Sequence, residues 1–207
     1  ATAGTTTVEC NAENTGDSAN GFYFDLCNSS DSKYLEVVAV SAMKHTSDAV
    51  DATLYACKMG KCDAHETNAA EWNEVASASL EGESVLNQLM LTKPVLIPPG
   101  KEVGFFLHNP QSTAGIACTA SHDNSSAARD DNMTIRPWYY SNDASAFNSH
   151  NNGSYTHAGS VSYKLVDTEG SPEEGKLKAK VEELEAKLAV ATAGTTTVEC
   201  NAENTGD

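Results

Sequence analysis

Basic residues are scarce in this chain: 13 Lys and Arg stand against 29 Asp and Glu, a formal net charge of −16. Neutralising phosphates takes clustered cations, so this balance excludes a nucleic-acid partner. No apolar run approaches the roughly 20 residues that a membrane helix requires, so no membrane span is expected. The six histidines (His45, His65, His108, His122, His150 and His157) form no H-x-H or H-E-x-x-H pattern, and no G-x-S-x-G is present. They read as surface side chains, though His108 and His157 are free to meet in a fold. Among so many acids no glycosidase pair can be singled out. No catalytic residue is assigned, and an enzyme is not expected. Ala1 opens a Thr-rich stretch with neither a basic n-region nor an apolar h-region, which reads as a mature fragment without a signal peptide.

What the chain does contain is a repeat. Residues 1–17, ATAGTTTVECNAENTGD, recur without a change at 191–207. Two origins are open: a duplicated terminus, or one unit of a tandem array (1–190) followed by the opening of the next. A tag would not be expected to carry a cysteine, and this segment does, as Cys10 and Cys200. The array is therefore the working expectation, with length, stiffness or multivalency as its purpose.

The cysteines form no paired C-x-x-C motif and no zinc-type spacing. Four N-x-[ST] sequons place candidate N-glycans on Asn28, Asn124, Asn132 and Asn152. Together these features predict a secreted, extracellular glycoprotein. Cys57 and Cys62 bracket Lys58-Met59-Gly60-Lys61, which reads as a hairpin tip closed by a local disulfide. The pairing of Cys10, Cys27, Cys118 and Cys200 stays open. With five cysteines per unit, either one thiol is free or one pairs with its counterpart across a symmetry axis.

Residues 1–166 read as β. Runs rich in Val, Thr, Tyr and Phe at 5–11, 22–27, 35–44, 52–57, 74–80, 88–92, 94–97, 103–109, 115–120, 133–140 and 161–166 are separated by Asn, Asp, Ser and Gly clusters. Phe22, Phe24 and Leu26 share one face by period-2 alternation, as do Val161, Tyr163 and Leu165. Pro98-Pro99-Gly100 marks a turn. About ten such strands predict an antiparallel β-sandwich or jelly roll.

Composition changes at Asp167. Ser171, Pro172 and Glu174 read as N-cap, first helical residue and capping-box partner of a helix over 172–190. Leu177, Val181, Leu184 and Leu188 make its apolar seam, and Glu174–Lys178 and Glu183–Lys187 support the exposed face. An apolar stripe needs a partner surface, so this helix is expected to pack between units, with 167–190 as the spacer that sets repeat geometry.

Gly21-Phe22-Tyr23-Phe24-Asp25, Val50-Asp51-Ala52-Thr53-Leu54-Tyr55, Trp72, the run from Pro94 to Leu107, Asp130-Asp131-Asn132-Met133-Thr134-Ile135 and Gly159-Ser160-Val161-Ser162-Tyr163 follow one another in a suggestive order. Over residues 20–166 the chain resembles a repeated β-sandwich module of large secreted cell-surface proteins of marine algae, diatoms and related protists. The shared features are a G-x-(aromatic)-F-D opening, a P-x-x-I-P-x-G hairpin before an aromatic strand, and a terminal G-x-(apolar)-x-Y strand. The resemblance implies extracellular, repeated, non-catalytic modules and supplies no catalytic residues. The cysteines and the Asn/Ser-rich stretches here depart from that pattern.

Two ligand readings remain. Trp138-Tyr139-Tyr140 before the loop 141–154 make either a sugar platform or ordinary core, and Trp72 reads as a core anchor at a strand edge. Asp123, Asp130 and Asp131 gather hard oxygens suited to Ca²⁺ on a loop, with solvated acids as the alternative; no other cofactor is expected. The expected function is a non-catalytic structural repeat of a long extracellular filament whose partners are further copies of itself. The alternative is a glycan-binding adhesin array.

Overall fold

A computed structural model describes residues 4–10, 17–111, 115–120, 127–153, 155–167 and Lys180. The chain divides into two units, Ala1–Asp167 and Thr168–Asp207. Apart from Lys180, the spacer helix with its cap at Ser171, the packing residues Leu177, Val181, Leu184 and Leu188, and Cys200 all lie outside the described residues of the second unit.

The first unit is an antiparallel sandwich. In chain order its strands are β1 (Thr6–Cys10), β2 (Asp17–Ala19), β3 (Gly21–Asn28), β4 (Tyr34–Ala42), β5 (Val50–Cys57), β6 (Trp72–Leu80) and β7 (Asn87–Ile97). There follow β8 (Glu102–His108), β9 (Ile116–Ala120), β10 (Ala128–Arg129), β11 (Met133–Ser141), β12 (Asn151–Asn152), β13 (Tyr155–His157) and β14 (Gly159–Val166). One layer is a large sheet ordered β10-β11-β3-β8-β5-β6, with β12 added to β11. Facing it are a four-stranded sheet, β1-β14-β4-β7, and a three-stranded sheet, β13-β9-β2. The two smaller sheets join where β13 runs into β14: Met43 N donates to Ala158 O and Ala158 N to Ala117 O.

Alternation puts the core where the sequence pattern requires it. Phe22, Phe24 and Leu26 of β3 are fully buried against Phe105 and Leu107 of β8, Leu54 of β5, and Val161 and Tyr163 of β14. Leu165 packs against the same cluster from a partly buried position. The expected strands at 88–92 and 94–97 are a single strand, β7, that passes through Pro94. β7 is the outermost strand of its sheet, so the missing N–H costs no ladder bond. The register also skips there, with Val37 opposite Val95 but Ala39 opposite Met90. Gly100, at φ +65°, ends the turn in which Lys101 N bonds Pro98 O.

Two polar residues fasten this core. Asn28 is 3% exposed. Its Nδ2 donates to Lys33 O and Ile97 O, both at 2.8 Å, and its Oδ1 accepts from Ser30 N. It therefore ties the end of β3 to the turn before β4 and to the end of β7. The nitrogen that the sequon offers to a glycan is engaged in these bonds and enclosed in the folded chain. Asp130 works in the same way. One carboxylate oxygen accepts from Asn132 N and Met133 N, and the other accepts the Tyr163 hydroxyl at 2.7 Å.

The expected Cys57–Cys62 disulfide is not formed. Cys10, Cys27, Cys57 and Cys62 are free thiols. Cys57 closes β5 opposite Trp72, whereas the Cys62 thiol turns into the sheet and donates to Phe24 O and Phe105 O at 3.5 and 3.6 Å. The segment between them is not a two-strand hairpin tip, because β6 begins only at Trp72. Burial pushes the Cys10, Cys27 and Cys118 thiols up to about 12, so they are poor nucleophiles in the folded protein.

The histidines expected at the surface include two that are interior. His108 is 2% exposed and His157 is fully enclosed. His157 lies against the Phe24 ring at 4.9 Å, and neither of its ring nitrogens has a hydrogen-bond partner. Desolvation alone lowers its pKa from 6.5 to about 4. The unfolded chain therefore takes up a proton that the folded chain refuses, and stability falls as pH drops from about 6.5 towards 4. The loss attributable to this one group is on the order of 3 kcal/mol. Replacing His157→Leu is expected to remove that share of the acid destabilisation and to leave stability at pH 7.5 unchanged or raised. Urea unfolding of both proteins at pH 7.5 and 4.5 checks this, and parallel pH dependences would refute it.

Candidate functional site

The large sheet is apolar on its outer face as well, and this second face is where the chemistry gathers. Pairing across the ladder places Tyr139 opposite Tyr23, Tyr23 opposite Phe106, and Phe106 opposite Tyr55, a continuous aromatic row on β11, β3, β8 and β5. Tyr23 and Phe106 stack with ring centroids 3.9 Å apart and planes within 3°. Such directly opposed aromatic pairs are among the strongest cross-strand contacts. Trp72, at the first position of the edge strand β6, meets Tyr23 edge-on at 5.8 Å, consistent with a core anchor.

Two loops cover most of this row. Residues 58–71 lie across β8: Gly104 N donates to Gly60 O, and a Cβ at Gly104 would stand 2.6 Å from Cys62 N. Glycine is required at that position by the close approach of two backbones. Tyr23 OH donates to Glu66 O at 2.9 Å, and Trp72 Nε1 to His65 O at 2.8 Å. From the other side Phe147 inserts between Tyr55 and Phe106, with centroids at 5.0 and 5.1 Å. It holds a left-handed φ of +62°, a strained conformation for a side chain of its size. Asp143 braces that loop: its carboxylate accepts from Ser145 N, Asn148 Nδ2 and Ser149 Oγ, and its backbone oxygen contacts His108 Nε2 at 3.0 Å. These bonds hold the Asp143 carboxyl below its ordinary pKa, and burial lowers that of His108.

At the centre sits Asp25, fully buried. One oxygen accepts from Cys62 N at 2.8 Å and the other from Trp138 Nε1. Burial raises its pKa, and those two donors act against the rise. Asp25 thus clips the covering loop and Trp138 to the sheet. Sequence reasoning passed over it as part of an aromatic strand, and its position between Phe24 and Leu26 was the available signal. A carboxylate inside an apolar run needs a specific partner.

Part of the face stays open. A bulge at Trp138, where Pro137 pairs with Phe24 but Tyr139 with Tyr23, puts two consecutive aromatic residues on the outside. Trp138 and Tyr139 are half-buried, with centroids 5.8 Å apart and planes at 36°. With Arg136, Pro137, Asn152 and Gly153 they line a hollow of 270 Å³. Arg136 is held by Glu102 at 2.8 Å. Tyr140 faces the other way and packs against Tyr155 at the main core. The run Trp138-Tyr139-Tyr140 is therefore divided between surface and interior.

The remaining candidates are dispersed. Asn132 is half-buried and its Nδ2 donates to Tyr163 OH, Asn152 is exposed at the hollow, and Asn124 lies outside the described residues. Asp130 is occupied as described, Asp131 is exposed, and Asp123 lies outside the described residues. Among the described residues no group of three or more His, Cys, Asp or Glu is placed to hold a metal ion.

Replacing Asp25→Ala leaves two buried donors unpaired and is expected to cost about 2–5 kcal/mol. Asp25→Asn keeps an acceptor for Cys62 N and should cost less. Urea unfolding with Trp fluorescence as the probe measures both, and an Asp25→Ala protein of unchanged midpoint would contradict the clip. No protein-family model matches the chain, and no curated protein matches it in sequence.

Proposed function

We propose that the chain is a non-catalytic structural module of an extracellular repeat glycoprotein that builds a surface filament. One observation carries this reading. The segment repeated at 191–207 contains, in its first copy, a strand of the sandwich whose Val8 and Cys10 belong to the main core. A terminal tag has no reason to encode an integral strand, whereas the start of a second module must. The spacer 167–190, with its helix-start signals and apolar seam, suits a connection of fixed length between modules. The sequons at Asn124, Asn132 and Asn152 and the resemblance to secreted algal repeat modules support the compartment. The high negative charge suits a surface bathed in salt, where repulsion between modules is screened.

Negative-stain electron microscopy of the purified protein is expected to show regular filaments with a constant axial period. Dispersed particles the size of one sandwich, at all concentrations, would end the filament reading. Glycopeptide mass spectrometry is expected to find sugar on Asn152 and none on Asn28.

A second reading has its own support in the Trp138–Tyr139 hollow, which pairs ring faces with the Asn152 amide as sugar sites do. On that reading Trp138→Ala abolishes retention on immobilised glycans while leaving the far-UV circular dichroism unchanged. Equal retention of both proteins would refute it.

A further inference from the structure

We propose that the β1 position on the edge of β14 is a strand-acceptor groove that takes residues 196–200 of a second copy of this chain in place of its own Thr6–Cys10. β1 is the last strand of its sheet and is held on one side only, by five consecutive antiparallel pairs running from Thr6 opposite Tyr163 to Cys10 opposite Gly159. Its inward side chains Val8 and Cys10 are 6% and 0% exposed, while Thr6, Thr7 and Glu9 are exposed. Thr7 Oγ1 and Ser162 Oγ share a hydrogen bond of 2.9 Å.

Removing β1 leaves β14 with a row of unpaired backbone groups and opens the core where Val8 and Cys10 sat. Such a vacancy recruits a strand of matching pattern. The chain supplies one: Thr196-Thr197-Val198-Glu199-Cys200 repeats Thr6-Thr7-Val8-Glu9-Cys10 residue for residue. An identical strand makes identical contacts, so the choice between the two is set by tethering and local concentration rather than by fit. The resident β1 has the advantage of a short connection to β2. A second copy gains ground wherever chains are crowded, and its occupation of the groove is a heterologous, head-to-tail contact that does not close on itself. The inference rests on the repeat reading in taking 191–207 as module sequence, and it adds the means by which copies join.

The test uses full-length chains. One carries Ser162→Cys with Val8→Asp, which puts a charge at a core position and disables the resident strand. The other carries Thr197→Cys. Mixed and oxidised, they are expected to give a disulfide-linked dimer, mapped by mass spectrometry to positions 162 and 197. Because burying an unpaired charge is so unfavourable, at least about tenfold more dimer is expected than with Val8 intact. Thr7→Cys with Ser162→Cys in one chain shows that the paired geometry supports the bond. Where circular dichroism shows that Val8→Asp has unfolded the acceptor, a synthetic peptide of residues 191–207 carrying Thr197→Cys is offered instead to the Ser162→Cys chain with its native β1. Absence of a 162–197 bond in the arrangement used, or its formation only within a single chain, overturns the proposal. Filaments that form without this bond count against strand exchange and leave the filament reading standing. The bond without filaments supports strand exchange and counts against the filament.

Discussion

The constraint on which the rest of this structure depends is that the central strands of the large sheet are apolar on both faces. β3 alternates Phe22, Phe24 and Leu26 on one side with Tyr23 and Asp25 on the other, and every one of these is fully buried. A half-solvated antiparallel sheet needs one partner layer; this one needs two. The four- and three-stranded sheets cover the inner face, and the loops 58–71 and 142–150 cover the outer one. The loops are therefore packing elements, and their glycine, carboxylate and aromatic residues are placed to let them lie flat.

Buried polar groups do the fastening. Asn28, Asp130 and Asp25 each satisfy several backbone or ring donors and acceptors from segments distant in sequence, which is how a small number of polar side chains specifies loop positions. His157 is an exception: both of its nitrogens are enclosed without partners, a cost borne by the neutral ring in the main core. The buried thiols fit the same picture. Cys10, Cys62 and Cys118 act as small core side chains whose reactivity is suppressed by desolvation.

The open part of the outer face is small, and a backbone bulge creates it. Were strict alternation to run through Trp138 without a bulge, Tyr139 would turn inward and Tyr140 outward, and the hollow beside Asn152 would not exist. Surface chemistry here depends on a one-residue irregularity in the ladder. The edge of β14 is the other surface with a definite partner chemistry. Its complement is a strand that the sequence writes twice.

Much of the architecture was legible in the amino-acid order, because period-2 alternation and turn residues are local properties. The face shared by Phe22, Phe24 and Leu26, the Pro98-Pro99-Gly100 turn and the mainly β, antiparallel character all follow from neighbours in sequence. So does the recurrence of residues 1–17. What tertiary structure alone decided is which polar side chains are spent internally and which way a residue at an irregularity points. Asn28 satisfies a sequon in sequence and a three-segment junction in space. Cys57 and Cys62 are near in sequence, yet one ends a strand while the other is drawn under the sheet by Asp25. Pro94 breaks a strand by local rule, and an edge position tolerates it. Each of these outcomes rests on a partner tens of residues away, where local pattern carries no information about distance.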